Sequence, residues 1–147
     1  MIRSSCLLQS LMLALVLLAD ARQAQASNWV FIDADKHRLI QTDVDSLTRN
    51  GDVVRGTTRT TYTKAQVLPG TGVTYKYSAD TYEYDCGRGF FRLLASNKVA
   101  SNGYVVDSSV RADSPPVYGT AGTVGAKMFD VACTERGWLS RVLRFLH

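Results

Sequence analysis

The sequence predicts an α+β domain: a single antiparallel β-sheet of about six strands, one C-terminal helix packed on it, and one disulfide. Three observations carry that expectation. From Asp52 onward, threonine, valine and tyrosine recur with a period of two, the pattern of strands with one wet and one buried face. Between Thr120 and Cys133 the apolar period lengthens to that of a helix. Outside an apolar N-terminal leader, the cysteines are an even pair, Cys86 and Cys133.

The leader comes first. Arg3 precedes an apolar run from Cys6 to Ala19, and a polar stretch then ends in Ala24-Gln25-Ala26. A short apolar core followed by small residues at the −3 and −1 positions is the form of a secretory signal, so residues 1–26 are expected to be cleaved. A retained anchor is the alternative, although the run is short for a bilayer. No cysteine stands where a lipidated signal would place one. The rest divides into a domain at 27–133 and a tail at 134–147. The formal net charge of +4 falls to +3 once Arg3, Arg22 and Asp20 leave with the leader. No Lys/Arg run marks a nucleic-acid surface.

Along the domain, Asn28–Ile32 is an aromatic and β-branched strand, ended by a turn at Asp33–Lys36. His37–Thr42 is a second strand, and Asp43–Asp52 reads as a turn or a single helical turn. In Asp52–Tyr62 the even positions are Val54, Gly56, Thr58, Thr60 and Tyr62, while Arg55 and Arg59 share the odd, water-facing side. Leu68–Gly72 is a turn by composition. Beyond it Tyr75 and Tyr77 are odd but Tyr82, Tyr84 and Cys86 are even, which predicts a bulge or turn near Ser78–Asp80. Gly89–Ser96 and Gly103–Val110 are two further strands joined through a loop at 97–103. Pro115 and Pro116 keep the next segment out of a central strand. Val124, Met128, Val131 and Ala132 form the helical stripe, with Thr120 or Thr123 as N-cap.

In an oxidising compartment Cys86 and Cys133 are read as a disulfide. A zinc site would need about four ligands at short spacing, and His37 and His147 are far from both cysteines. A nucleophilic thiol would need a base, and none is near. Closing so long a loop is worth on the order of 4 kcal/mol in the chain-entropy account.

The order of an opening tryptophan (Asn28–Ile32), Tyr84-Asp85-Cys86-Gly87-Arg88-Gly89-Phe90-Phe91-Arg92 at the first cysteine, Gly103–Ser109, a proline break and a helix ending in Cys133 resembles the surface-adhesin protein E-like family. The similarity covers about residues 28–133. It implies a single antiparallel sheet, a helix against one face and a Cys86–Cys133 bridge. The family's namesake lies on the outer surface of a Gram-negative bacterium and binds host extracellular-matrix and serum glycoproteins. The resemblance therefore implies an exported protein, periplasmic or on the outer surface, with host or envelope glycoproteins as partners. Two departures are a long Lys64–Gly72 connection and a tail that runs on past Cys133.

Candidate binding residues are Arg55, Arg59, Lys76, Arg88 and Arg92, a basic surface interleaved with tyrosines. The competing reading is that outward sheet positions carry arginine for solubility and to blunt edges. In the tail, Trp138, Leu139, Val142, Leu143 and Leu146 oppose Arg141 and Arg144 on a helical wheel, which suits a membrane surface or a partner, or docking on the sheet. Asp33/Asp35 and Asp43/Asp45 lack the ligand order of a calcium loop and read as turns. No Ser-nucleophile, zinc-protease or phosphate-loop motif occurs, and no cofactor or metal is expected. The expectation is a non-catalytic binding protein of the adhesin type. A periplasmic structural, envelope-stress or inhibitor protein is the alternative.

Overall fold

The computed structural model describes residues 27–111 and 113–134. The strands are β1 (Trp29–Ala34), β2 (Arg38–Asn50), β3 (Val53–Val67), β4 (Thr74–Asp85), β5 (Phe90–Val99), β6 (Val105–Val110) and β7 (Val117–Tyr118), followed by the helix α1 (Val124–Cys133). All pair antiparallel in one sheet, in the order β1-β2-β3-β4-β5-β6, with β7 on the start of β5. Each of the first six strands thus lies beside its sequence neighbour, as short connections favour. The two-residue β7 is the proline-limited segment, confined to a short pairing where the lost donors cost little.

Alternation fixes the two faces. On β3, Val54, Gly56 and Thr58 are buried and Arg55 is exposed, as the parity of the sequence requires. The inner face carries Ile32, Ile40, Val44, Val54, Tyr84 and Phe91, and α1 lays Met128 and Ala132 on it. Tyr84 is the centre of an aromatic group, its ring 6.0 Å from Phe91, 6.1 Å from Tyr82 and 6.4 Å from Phe129. Burying each such side chain contributes about 1.5–3 kcal/mol. Thr42 and Thr58, both fully enclosed, satisfy each other's hydroxyls at 3.0 Å.

Three expectations need correction. The segment expected to be a turn or helical turn at Asp43–Asp52 instead continues β2 to Asn50. Pairing jumps from Asp43↔Thr57 to Thr48↔Arg55, so residues 44–47 bulge opposite Gly56 alone. The bulge persists because Val44 and Leu47 both reach the core, and because Ser46 Oγ mends the ladder, accepting from Thr57 N at 2.9 Å and donating to Asp43 O at 2.7 Å. Second, the ladder is regular through Ser78–Asp80; the irregularities flank it. One lies between Thr61↔Tyr77 and Gln66↔Tyr75, the other between Thr81↔Ala95 and Tyr82↔Leu93. The first lets Tyr75 meet Tyr62 edge-on at 5.7 Å. Third, β5 continues to Val99 rather than stopping at Ser96, because Lys98 still pairs with both Ser78 and Asp107.

The helix begins where the sequence allows. Thr123 is the N-cap and its Oγ1 accepts from Ala126 N at 3.2 Å. Gly125 lets the first turn approach the Phe91 ring; a Cβ there would lie 2.8 Å from Phe91 Cζ. Lys127 Nζ reaches Asp33 Oδ1 at 2.7 Å, and Arg49 Nη2 lies 3.4 Å from the Ala132 and Cys133 carbonyls at the negative end of the helix. The Cys86–Cys133 bond, with Cα atoms 5.6 Å apart, ties that end to the exit of β4.

Candidate functional site

The register gathers the outward side chains of five strands into two rows. Thr48, Arg55, Glu83 and Arg92 face one another across β2, β3, β4 and β5. One step on, Asn50, Val53, Asp85, Phe90 and Tyr118 form the parallel row, ending on β7. Opposed residues in such rows are close enough to interact directly.

Glu83 is the pivot of the first row. Its side chain is only 9% exposed, and its two oxygens are divided between neighbours. Arg55 Nε donates to Oε2 at 2.8 Å, and Arg92 Nε donates to Oε1 at 2.9 Å. Burial alone would push the Glu83 carboxyl up; hydrogen bonds from Arg55 and Arg92, with their charges, outweigh it and hold it below the usual carboxylate value. Both arginines spend Nε and Nη2 on Glu83, which leaves each Nη1 edge for something else. The Arg55 side chain is 60% exposed and that of Arg92 37%. They are therefore held at the surface by a buried acid and remain accessible.

The hairpin end adds a second ion pair. Hydrogen bonds from Arg88 lower the Asp85 carboxyl below its ordinary value: Arg88 Nε donates at 2.7 Å and its backbone N at 2.8 Å. The Arg88 guanidinium also lies 4.9 Å from the centre of the Phe90 ring, which meets Tyr118 edge-on at 5.9 Å. Thr48, Arg49, Asn50, Val53, Arg55 and Glu83 line an open depression of about 430 Å³ on the β2 side of these rows.

The five basic residues singled out in the sequence thus separate. Arg55, Arg88 and Arg92 come together. Arg59 stands four residues along β3 from Arg55, about 13 Å at the usual rise. There it stacks 4.1 Å over the Trp29 ring and donates to Gln41 Oε1 at 3.0 Å. Lys76 lies further out and donates to the Thr63 carbonyl at 2.8 Å. Trp138, Leu139, Arg141, Leu143 and Arg144 lie outside the described residues, as does the leader. Thr48, Asn50, Glu83, Phe90 and Tyr118 escaped sequence reasoning, since they join the arginines only through register. The one signal available was parity: Glu83 is odd in an otherwise even-buried stretch.

Among the described residues, no group of three or more His, Cys, Asp or Glu side chains could hold a metal ion, and no helix is long and apolar enough to cross a membrane. What the fold and its outer face define is a small α+β sheet domain with a disulfide-tethered helix and a pre-arranged arginine surface. The model of the surface-adhesin protein E family matches residues 29–134, and the chain belongs to that family. No curated protein matches the chain significantly.

Proposed function

We propose that this protein is a non-catalytic binding protein of the exported cell envelope, and that its outer sheet face recognises glycoproteins bearing negative charge. The observation that carries this reading is the Arg55–Glu83–Arg92 row: two guanidiniums fixed by one buried carboxylate, with their outer edges free. Ordinary solubilising arginines need no such anchor. Fixing them beforehand removes side-chain entropy that binding would otherwise cost. Family membership supports the adhesin role, and the leader at residues 1–26 supports export.

The test is binding of the purified protein to immobilised matrix and serum glycoproteins, beside Arg55→Ala, Arg92→Ala and the double variant. Saturable binding that falls at least tenfold in the double variant is the expected result. Binding that ignores both substitutions sinks the assignment of the face. Digestion of the protein by protease added to intact cells, with a periplasmic marker protected, is the outcome expected of a surface location; full protection favours the periplasm.

A further inference from the structure

We infer that the depression beside Arg55 is a subsite for a single carboxylated sugar, such as a sialic or uronic acid unit, and this inference rests on the binding role proposed above. Charge decides between ligand classes. The depression is lined by Arg49 and Arg55 against Glu83, an excess of one positive charge. A polyanion such as a sulfated polysaccharide or nucleic acid asks for many unpaired cations. One unpaired charge suits one carboxylate.

The surroundings suit a sugar. Arg55 lines the depression, and its Nη1, which Glu83 does not engage, can meet a carboxylate with a charge-assisted bond. Thr48 and Asn50, both exposed, supply a hydroxyl and an amide for ring hydroxyls. A volume of about 430 Å³ is within the range of small-ligand sites. Glu83 acts as a positioning residue: both its oxygens are engaged by the guanidiniums it aims.

Titration of the purified protein, followed by NMR of the sugar and by calorimetry, separates the possibilities. Sialyllactose, glucuronic acid, lactose and a short acidic peptide are the probes. Sialyllactose or glucuronic acid is expected to bind, which also tells the two sources apart, while lactose does not. Arg55→Ala is expected to weaken binding about 10- to 100-fold, the effect of losing one charged hydrogen bond. Thr48→Val with Asn50→Ala weakens the sugar more than any binding of the peptide. Glu83→Gln, if folded by circular dichroism, weakens sugar binding although it adds no negative charge; a merely structural Glu83 would leave the affinity of the folded fraction unchanged. Equal binding of lactose, tighter binding of the peptide, or indifference to Arg55→Ala overturns the inference. Glycoprotein binding that survives enzymatic removal of acidic sugars overturns it too, but leaves the proposed function standing. Failure of every untreated glycoprotein to bind would instead remove that function.

Discussion

Leu47 occupies the space that the Cβ of any other residue at position 56 would need, so the bulge of β2 closes onto the sheet only because Gly56 has no side chain. Leu47 is core and Gly56 is the lone residue opposite the four bulged ones. Gly56→Ala is therefore expected to destabilise the protein by about 1–3 kcal/mol, the cost of overpacking. Leu47→Ala alone should cost about 2–5 kcal/mol. Because the two changes compete for one volume, the double variant should cost clearly less than their sum, read from urea unfolding midpoints. Simple additivity would mean that the two side chains do not meet.

Replacing Glu83 by Gln leaves two guanidiniums beside a neutral amide. A loss of about 2 kcal/mol is expected, near that of a hydrogen bond to a charged group. The sign of its pH dependence follows from the lowered carboxyl. The native protein keeps this contribution above the ordinary carboxylate value of about 4.3 and loses it as pH falls through the lower folded value. The stability gap between native and Glu83→Gln proteins should thus close on acidification, as thermal melts between pH 7 and pH 2 would show.

Tyr82 gives the opposite limb. Burial, helped by the charge of Asp80, pushes its hydroxyl up to about 12, and burial raises Tyr84 as well. An unfolded tyrosine ionises near 10, so this contribution is intact below that value and is lost as pH rises to about 12. Absorbance titration at alkaline pH should show two or more tyrosines ionising late and together with loss of structure. Tyr82→Phe should shift that transition upward.

Reduction of the Cys86–Cys133 bond, or its removal by serine substitution, should cost about 4 kcal/mol in the chain-entropy account. For a domain of this size that is a fall in Tm on the order of 15 °C, measurable by scanning calorimetry with and without reductant. Thr123→Ala, which removes only the N-cap, should cost about 1 kcal/mol. A larger effect of the cap than of the bridge would show that the tether contributes little.

Much of the fold was legible because alternation and capping are local. The buried side of β3, a threonine cap at Thr120 or Thr123 (the structure uses Thr123) and the even cysteine pair all follow from neighbouring residues and elementary chemistry. The β2 bulge was not legible, because Asp43, Asp45 and Ser46 are turn residues by propensity. They lie in a strand only because Ser46 replaces the missing ladder contact and Leu47 finds Gly56. The candidate site was half visible for the same reason. Arginines on one parity can be read from a strand, but that Arg55 faces Glu83 depends on a register that the bulge itself sets.

Because β1 to β6 follow one another in space as in sequence, nearly every ladder contact can close between adjacent hairpins as the chain emerges. The helix is the exception: it must travel back from β7 to reach Ile32, Ile40 and Tyr84, and Cys133 arrives last of all. Oxidation is then a seal on work already finished. A chain denied that seal would hold its helix over the aromatic strip of Tyr82, Tyr84 and Phe91 by packing alone.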